Sequence, residues 1–221
     1  MSNETLMPSY KKGLGELQEQ LKGMLPADAL NVFDKDATQL AATHQDILRL
    51  TKGDKAPDFA LTNAVGETVR LAELLEKGKV VLTFYRGTWC PYCNLQLNQY
   101  QQSLAEIHEL GAQLVAVSPQ TPDESMNMKA KNDLQFEVLS DNGNLIARQY
   151  TTVFKNGQEP LDAMKKLGID FDSHYADDSQ ELPVPAVFII EQDHSISFAK
   201  AVDGDYRNRV EATDILAALK R

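Results

Sequence analysis

The sequence predicts an α/β fold, with a mixed β-sheet flanked by helices and a helical extension in front of it. Short apolar runs alternate with helical patterns from residue 51 to residue 221, which is typical of strands that alternate with helices. Two late apolar runs, joined by a turn at 191–194, are typical of a closing hairpin. Residues 1–50 show helical spacing alone. We therefore predict an amino-terminal helical arm over residues 1–50 and a folded domain over residues 51–221.

The predicted arm carries apolar side chains at helical spacing but no residues that suggest chemistry. The first predicted helix ends before Pro26 and carries an apolar stripe of Tyr10, Leu14, Leu17, Leu21 and Met24. A second helix or pair of helices is predicted over residues 30–50. Such a stripe needs a cover, either from the chain's own domain or from a partner. We predict that the arm contributes to a homodimer.

Within the domain, strands are predicted where β-branched and aromatic residues cluster, at residues 56–61, 68–71, 79–85, 113–118, 136–139, 184–190 and 195–202. Helices are predicted at residues 72–76, 91–107, 123–131, 144–150 and 210–219. The polar stretch 151–181 shows little pattern. We interpret it as an insertion with one helix near residues 161–167.

The centre of the predicted domain is the stretch 79–93, KVVLTFYRGTWCPYC. Its apolar first half predicts a buried strand, a tight turn follows at 86–88, and Pro91 is typical of the first position of a helix. The only two cysteines of the chain, Cys90 and Cys93, therefore fall at the start of a helix that follows a strand. Two intervening residues place their sulfur atoms one helical turn apart, close enough for a disulfide.

This position predicts a reactive dithiol, because free amides at a helix N-terminus stabilise a thiolate. Cys93 lies on the apolar stripe of the predicted helix, whereas Cys90 precedes it at the cap and is predicted to face solvent. We therefore predict that Cys90 is the attacking thiolate and Cys93 the resolving thiol. Arg86 is the nearest fixed positive charge in sequence and favours the thiolate, unless it is a solvated turn residue. Trp89, just before Cys90, belongs to the predicted site.

Other interpretations of this cysteine pair are a zinc site, two inert buried thiols and a permanent disulfide. Zinc needs four ligands, and the chain has no second cysteine pair and no histidines at ligand spacing. Free cysteines are often buried without any function. The strand–turn–helix setting favours redox chemistry, and we expect neither a metal nor a cofactor.

Pro185 stands at the start of the predicted strand 184–190, where proline is unfavourable. A cis Val184–Pro185 bond would turn a backbone edge toward the thiolate and could pair with an extended substrate. The alternative is an ordinary proline at a strand edge. We predict the cis form, in contact with the Cys90 sulfur.

The charge and hydropathy of the sequence limit the kinds of partner and the location that we expect for the protein. A formal net charge of −10 argues against nucleic acid and anionic membranes as partners. No apolar run approaches the length of a transmembrane helix, and the polar start MSNETLMPSY lacks the apolar core of a signal peptide. We therefore predict a cytoplasmic protein. In that reducing compartment a Cys-x-x-Cys is more often catalytic than structural.

The pentapeptide Trp89-Cys-Pro-Tyr-Cys93 after a strand, with Pro185 before a late hairpin, resembles the thioredoxin fold. Several segments resemble the peroxiredoxin family, the alkyl hydroperoxide reductase and thiol-specific antioxidant group: GDKAPDFALTNAVGETVRL, VVLTFYRGTWCPYC, LVAVSPQ, LSDNGNLIARQY and PAVFIIEQ. The resemblance covers residues 51–221 and leaves the arm outside. It implies an antioxidant thiol peroxidase that reduces a hydroperoxide and is recycled by a thioredoxin- or glutathione-type reductant.

The sequence departs from the family pattern at the site itself. Typical peroxiredoxins have a proline just after this strand and a threonine three residues before the peroxidatic cysteine. By position, Arg86 replaces the proline, Cys90 replaces the threonine, and the peroxidatic position falls on Cys93. Pro185 takes the place of the family's active-site arginine.

The position of the family's peroxidatic cysteine thus predicts that Cys93 is the nucleophile, whereas the helical periodicity predicts Cys90. Of the two, we predict Cys90. Two other functions are open from the residues alone. One is a thioredoxin- or glutaredoxin-like disulfide reductase, and the other is a redox-sensing binding protein.

Overall fold

The computed structural model describes residues 9–221, and its centre is a seven-stranded mixed sheet in the order β2-β1-β5-β4-β3-β8-β9. The strands of this described part are β1 (Ala60–Asn63), β2 (Thr68–Arg70), β3 (Lys79–Phe84), β4 (Ala112–Ser118), β5 (Glu137–Ser140), β6 (Val153–Lys155), β7 (Glu181–Pro183), β8 (Val187–Ile190) and β9 (Ile196–Lys200). Strands β3, β4 and β5 run parallel, β8 is antiparallel to β3, and β6 and β7 form a separate two-stranded sheet. The predicted α/β architecture with a mixed sheet is confirmed.

The helices of the described residues are α1 (Tyr10–Met24), α2 (Ala27–Thr43), α3 (Leu71–Leu75), α4 (Pro91–Gln102), α5 (Leu104–Glu109), α6 (Pro122–Asn132), α7 (Ala147–Tyr150), α8 (Gln158–Lys166) and α9 (Ala212–Leu219). Within residues 9–221, none of these helices has the length and apolar character needed to cross a membrane.

Strand β3 lies between β4 and β8 and is buried on both faces, which explains its continuous apolar sequence. Successive side chains of a strand point to opposite faces, so Val81 packs into the cluster that contains residues of α4, α5 and α9. Val80 and Leu82 pack on the other side, with residues of α3 and α7. The two cysteines belong to the first of these clusters. The dithiol is therefore part of the core beside β3.

Several element boundaries differ from the predictions, and the strand predicted at 56–61, for example, begins only at Ala60. The helix predicted over 91–107 breaks at Ser103 into α4 and α5, although the apolar stripe continues into the same cluster. The second helix of the arm ends at Thr43, and the residues that follow are extended, with Leu48 bridged to Thr151. Stretch 151–181 is more regular than predicted, since it contains β6 and α8 and ends at β7.

Within the described residues the arm contains α1 and α2, which pack on the rest of the chain, while residues 1–8 of the predicted arm lie outside the described residues. A side chain at Gly13 of α1 would place its Cβ 2.9 Å from Leu95 Cδ1 of α4, so the two helices approach closely at this glycine. Helix α2 lies against α8, where Lys35 pairs with Glu159 at 2.9 Å. The division of the chain into an arm over 1–50 and a domain over 51–221 stays a prediction.

Candidate active site: a buried dithiol

Cys90 is the N-cap residue of α4, and Cys93 lies in its first turn. The backbone of Cys90 is extended (φ −82°, ψ 111°), while its carbonyl already accepts hydrogen bonds from the N–H groups of Cys93 and Asn94, each at 3.1 Å. Pro91 follows at the first helical position, where its missing N–H leaves no bond unmade. The sequence predicted this local geometry correctly.

Both cysteines are buried and reduced, with exposures of 1% for Cys90 and 0% for Cys93. The prediction that Cys90 faces solvent is wrong. Periodicity within α4 shows only which side chains point toward the sheet. Residues of α1, α2 and α8 close over the other side and share a cavity with Cys90.

The Cys93 sulfur is the acceptor at the centre of the site. It accepts a hydrogen bond from the backbone N–H of Arg86 at 3.4 Å and another from Nη2 of Arg209 at 3.5 Å. The Arg86 N–H is free for this purpose because β3 has ended at Phe84. Both cysteines belong to one buried cluster, and interaction with the Cys90 thiol is a further cause of the lowered pKa of Cys93.

These contacts separate the two thiols in acidity. Burial raises the pKa of the Cys93 thiol, but the Cys90 hydrogen bond, the Arg209 cation and the Arg86 N–H outweigh burial and hold this pKa well below its ordinary value. Burial raises the pKa of Cys90, and the hydrogen bond to Cys93 and its negative charge raise it further. The structure therefore favours a Cys93 thiolate beside a Cys90 thiol, the reverse of the predicted acidities.

Arg86 is a buried cation and not a solvated turn residue. It is 4% exposed, and its guanidinium carbon lies 3.9 Å from the ring centroid of Tyr206 and 4.9 Å from that of Trp89. Within the described residues, its Nε has no hydrogen-bond partner, and the same is true of Nε of Arg209. Two arginine N–H groups beside the dithiol are therefore unused.

Trp89 is half-buried and fixes the loop that carries Cys90. Its Nε1–H donates to the Tyr175 hydroxyl at 2.8 Å, and that hydroxyl donates to the Arg86 carbonyl at 3.0 Å. The indole also packs on Phe171, with ring centroids 5.6 Å apart. Tyr175 and Phe171 both belong to the stretch 151–181, so this insertion holds the turn before the cysteines in place.

The Val184–Pro185 bond is trans, so the predicted cis bond is wrong. The Val184 N–H donates to the Thr152 carbonyl at 2.8 Å, and the Val184 carbonyl accepts from the Thr151 hydroxyl at 3.0 Å. These bonds to the insertion occupy the backbone edge that was predicted to face the thiolate. Pro185 is buried ahead of β8, and it is not among the residues that line the cavity beside Cys90.

A cavity of about 230 Å³ lies against Cys90 and is mostly apolar. Its walls come from the arm, the cysteine loop and α8, and include Leu21, Leu25, Leu30, Phe33, Trp89, Met164 and Leu167. Arg86 and Asn156 are buried polar residues of its lining, and half-buried Asp36 has one oxygen with no partner among the described residues. Burial raises the pKa of this carboxyl despite the Arg86 charge. The cavity is thus a route by which a small molecule can approach the dithiol.

Sequence reasoning missed Arg209, Tyr206 and Tyr175. Arg209 is 116 residues away from Cys93, so no local spacing links the two. The available signal was the segment Tyr206–Arg209, which places an aromatic residue and two arginines just before the last helix of an acidic chain.

A dithiol at the start of the helix that follows an interior strand of a mixed sheet defines the chain as a thioredoxin-fold thiol protein. More narrowly, it belongs to the AhpC/TSA family, whose model matches residues 52–199. The arm and Arg209 lie outside the matched residues.

The chain is similar to the peroxiredoxin Bcp of Bacillus subtilis, with 34% identity over 99 residues, 44% of this chain and 62% of that protein. It is also similar to chloroplastic peroxiredoxin Q of Populus jackii, with 32% identity over 103 residues, 46% of this chain and 47% of that protein. The matched part thus spans about half to six-tenths of these relatives.

Two solved structures share the fold. The peroxidoxin BcpB of Mycobacterium tuberculosis matches with a TM-score of 0.60 and 22% identity over 77% of this chain and 97% of that one. A peroxiredoxin-like protein of Aquifex aeolicus matches with a TM-score of 0.61 and 15% identity over 77% of this chain and 86% of that one. At these identities the likeness concerns the fold alone.

Proposed function

We propose that the protein is a thiol-dependent peroxidase that reduces hydroperoxides through its Cys90–Cys93 dithiol, with an antioxidant role. The observation that carries this proposal is the Cys93 sulfur, which receives hydrogen bonds from the Arg86 N–H and the Arg209 guanidinium. The thiolate, not the thiol, is the nucleophile toward peroxide. In this proposal Cys93 therefore attacks and Cys90 resolves.

Access from the cavity favours Cys90 as the nucleophile, whereas the charges around the two thiols favour Cys93. In this proposal the charges outweigh access. Cys90 lines the cavity, whereas Cys93 lies behind it. Moving a side chain such as Cys90 off its rotamer costs only about 0.5–1.5 kcal/mol. Ionising Cys90 is harder, because a buried thiol next to an existing thiolate meets both burial and like charge. Cys93 is therefore the better nucleophile even though an oxidant reaches Cys90 first.

The proposed reaction balances as follows. The Cys93 thiolate attacks the terminal oxygen of R–O–O–H, the O–O bond breaks, and the products are Cys93 sulfenic acid and an alkoxide, which takes up a proton to give the alcohol. The Cys90 thiol then attacks the sulfenic sulfur, which forms the Cys90–Cys93 disulfide and releases water. The unused N–H groups of Arg86 and Arg209 are suitable donors for the charge that develops on the leaving oxygen.

An external dithiol completes the proposed cycle by reducing the disulfide through thiol exchange. We assign this role to a thioredoxin- or glutathione-type reductant. Such reductants keep thiols reduced in the cytosol, so a cytoplasmic location is part of the proposal.

The activity itself can be tested by stopped-flow fluorescence. Trp89 is the only tryptophan of the chain and lies beside the dithiol, so oxidation should change its emission. Mixing the reduced protein with hydrogen peroxide, or with an organic hydroperoxide, should oxidise it much faster than free cysteine at the same pH. Protein alkylated at both cysteines is the control.

Stopped-flow measurements also distinguish a peroxidase from a disulfide reductase and from a redox sensor. A protein that reacts with oxidised glutathione but no faster than free cysteine with peroxide would be a disulfide reductase. A protein that reacts quickly with neither, yet changes its partner or oligomeric state on oxidation, would be a redox sensor. Burial of both thiols favours a small substrate over a protein disulfide.

A homodimer through the arm is a further part of the proposal. Met24, which is 77% exposed at the end of α1, is the contact that such a dimer would use. Light scattering of the full chain should give twice the mass of one chain, and Met24→Glu should lower it. A single-chain mass at every concentration would mean that the arm serves only its own domain.

A further inference from the structure

The segment 204–211 lies between β9 and α9 and carries two residues of the site, Tyr206 and Arg209, that lie outside the family match. Tyr206 packs on Arg86, and Arg209 donates to the Cys93 sulfur. Apart from one turn, from the Asn208 N–H to the Asp205 carbonyl, the segment has no regular structure of its own. Contacts with other elements therefore hold its position, and one of these comes from α4, where the Tyr100 hydroxyl donates to the Val210 carbonyl at 2.8 Å.

Arg209 depends on this segment for its own position. Among the described residues its guanidinium donates to two acceptors, the Cys93 sulfur at 3.5 Å and the carbonyl of the adjacent Asn208 at 3.1 Å. It forms no ion pair within residues 9–221. No carboxylate fixes this cation independently, so the guanidinium moves with the segment.

Helix α1 of the arm is attached to this segment at its first turn. The Glu211 carboxylate accepts the N–H of Tyr10 at 2.8 Å and the N–H of Lys11 at 2.9 Å, and these amides have no partner inside the helix. The Tyr10 hydroxyl donates to the Arg207 carbonyl at 2.7 Å, and its ring is 3% exposed. Both contacts lie within two residues of Arg209.

Helix α2 is attached to the other end of the same segment. The Tyr206 hydroxyl donates to the Phe33 carbonyl at 2.9 Å, and Arg207 pairs with Asp34 at 2.6 Å. The Cβ of any larger residue at Gly204 would lie 2.3 Å from the Leu40 carbonyl oxygen, so the two backbones touch. The arm therefore contacts the segment on both sides of Arg209.

We infer that Glu211 and Tyr10 are positioning residues, which clamp the arm to segment 204–211 and thereby hold the Arg209 guanidinium against the Cys93 sulfur. The inference rests on the proposed role of Cys93 as the thiolate, but not on the identity of the oxidant. It gives the arm, which lies outside the family match, a direct part in activating the site.

The test is a pH titration of the thiolate by its ultraviolet absorbance in the full-length reduced protein, with Cys93→Ser to assign the signal. Glu211→Gln and Tyr10→Phe should each move the Cys93 transition upward by about half to one pH unit, since the Arg209 contact loosens. Glu159→Gln is the matched control, because it removes an arm contact to α8 that does not involve the segment.

The direction in which the Cys93 pKa shifts distinguishes a positioning role of Glu211 from a direct effect of its negative charge. Removing a carboxylate near a thiolate would by itself lower the thiol pKa, whereas loss of the Arg209 contact raises it. Tyr10→Phe changes no charge and should shift the transition in the same direction as Glu211→Gln. Circular dichroism should show that both variants are folded.

An unchanged or lowered transition in both folded variants would overturn the clamp. A variant that unfolds would be replaced by Asp34→Asn, which loosens the same segment from α2, and an unchanged transition there would also overturn it. A wild-type Cys93 that titrates at the ordinary thiol value would instead overturn the proposed thiolate.

Discussion

Cys93→Ser is expected to lower the rate of the first reaction with hydroperoxide by at least about a thousandfold, which is the scale seen when a nucleophile is removed. The hydrogen bonds from Arg86 and Arg209 converge on the Cys93 sulfur, and a serine hydroxyl there does not ionise near neutral pH. The remaining thiol, Cys90, is held protonated by burial. Single-turnover stopped-flow kinetics measure the loss.

Cys90→Ser is the matched control, because it makes the same chemical change three residues away. This variant should react once with hydroperoxide and then stop as a Cys93 sulfenic acid, which a dimedone adduct and mass spectrometry would identify. If Cys93→Ser keeps the fast phase and Cys90→Ser loses it, the assignment reverses and Cys90 is the nucleophile, as the helical periodicity predicted.

Arg209→Gln is expected to raise the pKa of Cys93 by about one to two pH units, the scale of a lost charge-assisted hydrogen bond of about 1.5–3 kcal/mol. Thiolate is present above the pKa. The wild-type rate should therefore rise with pH through a transition well below the free-thiol value of about 8.5 and then level off. In the variant that transition moves up by the same one to two pH units, so the rate at pH values below the wild-type transition falls about ten- to a hundredfold.

Arg70→Gln provides the comparison for this prediction. Arg70 is an exposed arginine paired with Glu73, and its loss should leave the pH–rate profile unchanged. An unshifted profile in folded Arg209→Gln would mean that the Arg86 N–H and the Cys90 thiol are enough to keep Cys93 ionised. A profile that keeps its transition but falls at every pH would place the role of Arg209 in the transition state.

The strand–turn–helix unit could be predicted from sequence because each of its signals is local. A continuous apolar strand, an extended cap residue and Pro91 at the first helical position act through nearest neighbours, and the structure has them as predicted. Cys93 was correctly placed on the buried face, since the step of four and three residues along α4 determines which side chains meet the sheet.

The same periodicity could not give the environment of the sulfur atoms. Cys90 was predicted to face solvent, but residues of the arm and α8 enclose the cavity beside it. The predicted role of the backbone at Val184 was also wrong. Its N–H and carbonyl do not face the thiolate, because they form hydrogen bonds with Thr152 and Thr151 of the insertion. In both cases a segment distant in sequence supplied the missing surface.

The sequence by itself determined that a dithiol stands at the start of a helix beside a buried strand, because helix caps, proline position and apolar spacing are properties of neighbouring residues. Only the tertiary structure decided which thiol is the stronger acid. The pKa of a buried thiol depends on the charges and donors around it, and here the decisive cation, Arg209, is brought from the far end of the chain.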